Sequence, residues 1–175
     1  DPPSFEVINR DGETPLLLVC DHASQEVPRV LDKLGMGDDA LERHIAYDIG
    51  AAEVSRRLSA MLDAPCVLAG YSRLLIDLNR PPGHPQSIME ASDNTEIPGN
   101  FALSDDAKRQ RIRELFEPYH DAVNRALARI WENGAAPVLF SVHSFSPGFG
   151  DQPRPWDVGV LWNHDPRIAV PLMEI

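Results

Sequence analysis

Two histidines, His22 and His143, each stand at the end of a short apolar run. Leu16-Leu17-Leu18-Val19-Cys20 leads into Asp21-His22-Ala23-Ser24, and Pro137-Val138-Leu139-Phe140-Ser141-Val142 leads into His143-Ser144. The first run, bounded by polar residues, reads as a strand buried on both faces, and the second as another short apolar strand that stops at a histidine. Ligand sites on open α/β sheets collect just beyond the carboxyl ends of such strands. Two such strands lying side by side would bring both imidazoles to one sheet edge. Converging imidazoles suit a catalytic zinc, because neutral ring nitrogens ligate zinc well and a hydrolytic site leaves one position open for water. Either histidine alone also fits a strand-end residue hydrogen-bonded to a neighbour, so the repetition of the device carries the metal reading.

Other chemistry-bearing residues fall beside apolar segments. Asp48 lies next to Ile45, Ile49 and Ala52, and a carboxylate that is buried rather than solvated needs a cation or a metal as partner. Arg73 and Arg80 flank Leu74-Leu75-Ile76-Asp77-Leu78 and, with Asn79, fit a clamp for an anionic substrate, although two surface arginines would look the same. His120 falls within an apolar helical face, where pattern alone favours a satisfied core histidine over a catalyst. His44, His84 and His164 have no spacing that singles them out.

The elements that must position these groups alternate. Strands are predicted at Phe5 to Ile8, Leu16 to Cys20, Cys66 to Ala69, Leu74 to Leu78, Pro137 to Val142 and Val158 to Trp162. One helix is expected from Asp38-Asp39 to about Met61, carrying His44 and Asp48 on one face, and a short one within Gln25 to Gly37. Ser104-Asp105-Asp106 caps a helix that continues past Pro118 as a kinked or an abutting second helix and stops at Gly134; another begins at Pro166. Residues 81–103 hold four prolines and two glycines with almost no periodicity, a long loop of the kind that serves as a lid or specificity element. Its Ile88, Met89, Ile97 and Phe101 either line an acyl pocket or pack the loop down. The alternation predicts an α/β fold.

The bulk properties narrow the partners. At 175 residues the chain is long enough for one domain with a real core, and its ends, Asp1 and Ile175, suggest a domain lacking its C-terminal part. A formal net charge of −11 argues against nucleic acid or an anionic membrane surface and leaves a small-molecule substrate as the expected partner. Of sixteen basic residues only Lys33 and Lys108 are lysines, and arginine is the residue that grips a carboxylate with two parallel hydrogen bonds. Cys20 and Cys66 sit in predicted strands and read as buried free thiols, which with the lack of a spanning segment or signal peptide makes a reducing cytoplasm the expected compartment.

Five blocks, Cys20-Asp21-His22-Ala23-Ser24, Tyr47-Asp48-Ile49-Gly50-Ala51, Tyr71 to Pro81, Pro118-Tyr119-His120 and Val142-His143-Ser144-Phe145, resemble the N-formylglutamate amidohydrolase family in order along nearly the whole chain from Leu16. That family is similar to the zinc carboxypeptidases and aspartoacylases. The resemblance implies a three-layer α/β/α sandwich around a mixed, mostly parallel sheet. It implies that His22 and His143 are the first and last zinc ligands, that Arg73 polarises the scissile carbonyl, and that Asn79 and Arg80 hold a substrate carboxylate. Those relatives carry a glutamate ligand three residues after the first histidine, where this chain has the neutral, weakly ligating Gln25. Asp48 is the expected replacement and Glu26 the alternative. His120 is assigned an orienting role behind the site. The catalytic carboxylate of the relatives is expected beyond Ile175, Glu174 being a poor candidate within a helix.

These readings lead to one expectation: zinc-dependent hydrolysis of the N-acyl, and specifically N-formyl, amide of an acidic amino acid such as glutamate. The alternative is a metal-free protein that binds or senses carboxylates on the same fold without turnover, which Gln25 and the missing base favour.

Overall fold

Leu16–Cys20 forms a strand because every residue in it is apolar and β-branched or γ-branched side chains can pack on both faces of the pleat. In the computed structural model, which describes residues 1–149 and 152–174, this strand is the centre of the architecture. The elements run β1 (Phe5–Ile8), β2 (Leu16–Cys20), α1 (Asp38–Leu41), α2 (Ala51–Leu62), β3 (Cys66–Ala69), β4 (Ala91–Ser92), β5 (Thr95–Glu96), α3 (Asp105–Arg111), α4 (Glu117–Glu132), β6 (Val138–Ser141), β7 (Gly148–Phe149), β8 (Gln152–Pro153) and α5 (Pro166–Met173).

A four-stranded sheet has the order β1-β3-β2-β6. β2 is parallel to β3 and to β6, while β1 runs antiparallel to β3, so the sheet is mixed and mostly parallel. The pairing of Leu16 with Val138 through Val19 with Ser141 confirms that the two histidine-bearing strands are neighbours in register. Alternation along β2 and β3 divides their side chains. Leu17, Val19, Val67 and Ala69 pack with Tyr119, Ala122, Val123 and Ile130 of α4, whereas Leu18, Cys20, Cys66 and Leu68 pack with Ala51 and Leu58 of α2. Each fully buried Leu or Val here contributes roughly 1.5–3 kcal/mol. A third cluster joins Leu34, Leu41, Ile45 and Ala46 to Leu74, Leu75 and Ile97. Ile97 therefore packs the long loop down, while Phe101 is exposed.

Three expectations need correction. The helix predicted from Asp38 to about Met61 is two helices separated by residues 42–50, so His44 and Asp48 do not share a helical face. Gly50, at φ +81°, places the chain in the left-handed region just before α2, and the Asp48 amide donates to the His22 carbonyl at 2.9 Å instead of to a helical partner. Leu74 to Leu78 is not a strand. It is a buried irregular segment whose polar backbone is satisfied from other elements: Asn100 Nδ2 donates to the Leu74 carbonyl, Arg111 Nη1 to Leu75 and His120 Nε2 to Leu78, all at 2.8–2.9 Å. Val158 to Trp162 is also not a strand. No strand among the described residues pairs with it, and Val158 and Leu161 are exposed.

The capping prediction holds, since Ser104 Oγ accepts from the Ala107 amide at the start of α3. Between α3 and α4 the helix continues through a single π turn, Ile112–Phe116, in which the Glu117 amide reaches the Ile112 carbonyl. Pro118 follows within the first turn of α4, where its missing N–H costs little. The long loop contains the β4–β5 hairpin, tied back by Arg43 Nη2 to Asp93 Oδ2 at 2.7 Å.

Two compact units, Asp1–Ser144 and Phe145–Ile175, make up the chain. Within the second, β7 pairs with β8, the Arg154 guanidinium lies 4.9 Å from the Phe145 ring centre, and Asp165 caps α5. Residues 150, 151 and 175, in the predicted Gly/Pro-rich loop and terminal helix, lie outside the described residues. Among those described, no helix is long and apolar enough to cross a membrane.

Candidate active site

β2 and β6 end side by side, and the chain leaves each strand carrying polar groups. Asp21 and His22 follow β2, both buried, while Ser141 closes β6 and His143 comes two residues later. The two imidazoles lie with ring centres 5.1 Å apart. Asp48 is brought between them by the hydrogen bond from its own amide to the His22 carbonyl. Its Oδ2 is 2.9 Å from His143 Nδ1 and 3.5 Å from His22 Nδ1.

Behind this trio sits Asp77, 1% exposed. Its Oδ1 accepts from His22 Nε2 at 2.7 Å and from the Asn79 amide at 2.9 Å, and its Oδ2 accepts from Arg73 Nη2 at 2.6 Å. Arg73 Nη1 lies 3.7 Å from Asp48 Oδ1, so one guanidinium spans both carboxylates. The Arg73 amide is anchored on the Ala46 carbonyl, which ties Arg73 to the turn that carries Asp48. On the far side, Tyr119 Oη donates to Asp21 Oδ1 at 2.6 Å, and Ser141 Oγ lies 3.0 Å from His143 Nε2.

The charges follow from this geometry. Burial raises the Asp77 carboxyl, but the hydrogen bond and charge of His22, then the Arg73 charge, bring it down to about 2. Asp48 is likewise opposed by burial and held well below the usual carboxylate range by its hydrogen bond to His143 and by the nearby His22 ring. His22 is raised, burial being outweighed by Asp48 and Asp77. Burial, then the Asp21 charge, pushes the Tyr119 phenol well above its ordinary 10, so it stays a donor.

The residues fit a metal. His22 Nδ1 is buried and has no hydrogen-bond partner, which is costly unless a ligand takes its lone pair. One donor atom each from His22, Asp48 and His143 can be chosen so that all lie within 4.8 Å of one another. Ligands held tetrahedrally at zinc distances stand about 3.3 Å apart, and the observed 2.9 and 3.5 Å bracket that value. Asp77 on the remote nitrogen of His22 is the carboxylate backing that metal-bound histidines usually have. Two imidazoles and one carboxylate form a donor set suited to zinc.

A sequence model of N-formylglutamate amidohydrolases matches residues 14–175. The chain belongs to the N-formylglutamate amidohydrolase family. The family's name denotes an amidohydrolase. Among solved structures, this family member is similar to gene product Atu2144 from Agrobacterium tumefaciens, with 35% identity and a TM-score of 0.95 over 99% of this chain and 69% of that one. No curated protein matches it.

Of the residues singled out in this N-formylglutamate amidohydrolase family member, His22, Asp48, His143 and Arg73 are brought together. Arg80, exposed, lines a cleft of about 240 Å³ with Arg73, Asp77, His44, Gln86 and Met89. Asn79 is exposed too and enters the network through its amide. His120 stands apart from the donor trio, stacked on Phe116 at 4.2 Å and bonded to the Leu78 carbonyl. Glu26 and Gln25 line a different cleft, with Arg29 and Lys33, and Glu26 is outside the donor cluster. Glu174 caps the end of α5 in the second unit. Two other clefts are roomier, about 310 and 430 Å³, but neither contains any of the convergent groups. Sequence reasoning missed Asp21, Asp77, Tyr119 and Ser141. The two acids had a signal, since Asp21 ends an apolar run, Asp77 interrupts one, and a buried carboxylate needs partners; Tyr119 had none.

Proposed function

We propose that this amidohydrolase-family chain uses a zinc ion held by His22, Asp48 and His143 to cleave the N-acyl bond, specifically N-formyl, of an acidic amino acid such as glutamate. The orphaned, buried Nδ1 of His22, facing Asp48 beside His143, is the observation that carries this reading. When bound, the metal supplies Lewis acidity, lowering the pKa of water towards neutrality and polarising the amide carbonyl.

The chain's own residues do the rest. Arg73, restrained by Asp77 and Asp48 where the donor cluster meets the cleft, shares the negative charge that develops on the scissile carbonyl oxygen, a role typically worth about 3 kcal/mol of barrier. Arg80 and Asn79 grip the substrate carboxylate and so fix which bond faces the donor trio. His120, holding the Leu78 carbonyl, positions the turn that carries this pair. The packing of α2 and α4 against opposite faces of β2 and β3 supports an α/β/α sandwich around the sheet.

Metal content of the purified protein and formate release from N-formylglutamate by the natural full-length chain test the proposal. The expected result is one zinc per chain and activity, both lost in His22→Ala and His143→Ala. Zinc content unchanged in both variants would overturn it, and tight substrate binding without metal or formate would establish a carboxylate-binding protein instead.

A further inference from the structure

His22 and His143 are oriented by unequal means. His22 gives its remote nitrogen directly to the Asp77 carboxylate. His143 has no carboxylate at hydrogen-bonding distance on that side: its Nε2 is 3.0 Å from Ser141 Oγ and 3.6 Å from Asp21 Oδ2, while Ser141 Oγ is 3.5 Å from the same Asp21 oxygen. The other oxygen of Asp21 accepts from Tyr119 Oη at 2.6 Å. Asp21 is 8% exposed and Tyr119 1%, so this end of the chain of contacts is sealed from water.

The direction of the hydrogen bonds follows from what each group can do. A carboxylate only accepts, so Tyr119 and Ser141 both donate to Asp21. Ser141 has one proton; once it is given to Asp21, its oxygen is free to accept from His143. Nε2 of His143 must then carry a hydrogen, so Nδ1, which bonds Asp48 Oδ2 at 2.9 Å through a hydrogen of its own, is the nitrogen whose lone pair becomes available when that hydrogen is released to solvent on metal binding. The opposite direction would leave Asp21 Oδ2 without this donor and keep the ring's only hydrogen on the nitrogen that faces the donor trio.

We infer that Ser141, Asp21 and Tyr119 form a relay that sets the ring orientation and tautomer of His143, making Tyr119 and Ser141 positioning residues for a zinc site. The inference rests on the reading of His22, Asp48 and His143 as zinc ligands. It places a helix residue in α4, 98 positions away from Asp21 in sequence, in control of a ligand at the strand edge. Because Ser141 is neutral, the His143 side of the site is the softer of the two, and it depends on a hydroxyl that can be removed without disturbing a core residue.

The test is zinc affinity, by competition with a fluorescent chelator, for the wild type, Ser141→Ala, Ser141→Thr and Tyr119→Phe, with the unfolding midpoint of each metal-free protein measured alongside. The expected result is affinity weakened about 10- to 100-fold in Ser141→Ala, restored in Ser141→Thr, and weakened several-fold in Tyr119→Phe. The metal-free midpoint should change little in the Ser141 variants and fall in Tyr119→Phe, which leaves a buried Asp21 oxygen unpaired. In proton–nitrogen spectra of the zinc-loaded protein, the His143 Nε2–H resonance should be visible in the wild type and lost to exchange in Ser141→Ala. A wild type that binds zinc together with variants of equal affinity would overturn the relay alone, as would lower midpoints at unchanged affinity. A wild type that does not bind zinc would overturn the metal site, and the relay with it.

Discussion

Asp77 does more at this site than any other single residue, because one carboxylate restrains both a proposed metal ligand and the guanidinium placed at the scissile bond. An asparagine of nearly the same shape removes the charge that holds both. Asp77→Asn is therefore expected to weaken zinc binding about 10- to 100-fold and to lower kcat/KM at least as much, measured by chelator competition and formate release; unchanged affinity would exclude the backing role. The cysteines are a contrasting case. Cys20 and Cys66 are fully buried, and burial pushes the Cys66 thiol up to about 12 from 9, so almost no thiolate exists near neutrality. Neither should react with iodoacetamide at pH 8 in the folded protein, while both should react in denaturant. Rapid native labelling would contradict the packing described for β2 and β3.

At the level of elements, the segment from Arg73 to Arg80 needs explanation, since it is buried without belonging to a sheet. Its conformation depends on side chains that reach in from elsewhere. Arg111 of α3, itself buried, has its pKa lowered to about 10 by burial but stays charged at neutral pH, and it donates to Leu75, Gly99 and Asn100. Arg111→Met keeps much of the volume and leaves those acceptors unpaired. The expected cost is about 3 kcal/mol in urea denaturation, and a loss below about 1 kcal/mol would show that the segment holds itself. The glycines at element ends separate space from conformation. A Cβ on Gly70, just after β3, would meet the Pro3 carbonyl oxygen at 1.9 Å, whereas one on Gly50 meets nothing within 4 Å. Gly50→Ala should cost only the backbone strain of φ +81°, about 1 kcal/mol. Gly70→Ala should cost clearly more, because β1 must move to admit it.

For the molecule as a whole, the proposed metal site adds a further tie between segments already joined by hydrogen bonds: the ends of β2 and β6, paired in the sheet, and the turn before α2, whose Asp48 amide bonds to the His22 carbonyl. A ligand that binds only the folded state stabilises it by mass action, about 2.7 kcal/mol when present at a hundred times its dissociation constant. For a chain of 175 residues that corresponds to roughly 5–10 °C in Tm. Treatment with EDTA should lower the midpoint by that amount and added zinc should restore it, whereas magnesium should not. Equal midpoints with and without chelator would mean that zinc does not bind the folded site.

Periodicity and residue type were enough to place β1, β2, β3 and β6, the Ser104 cap and the two strand-end histidines, because each depends on local alternation or on a side chain bonding to its own backbone. Local signals cannot report what a segment meets. Leu74 to Leu78 has the composition of a strand, yet Asn100, Arg111 and His120 satisfy its carbonyls in place of a neighbouring strand. Asp48 looked like a helix residue until Gly50 and the His22 carbonyl drew it into a turn. Tyr119 reads as one more apolar-face residue, and only the packing of α4 on the sheet sets its hydroxyl on Asp21. The sequence by itself determined which groups could do chemistry and which strand ends would carry them. The tertiary structure alone decided which acids stand behind them, because those partners lie tens of residues apart and meet only once the chain has packed.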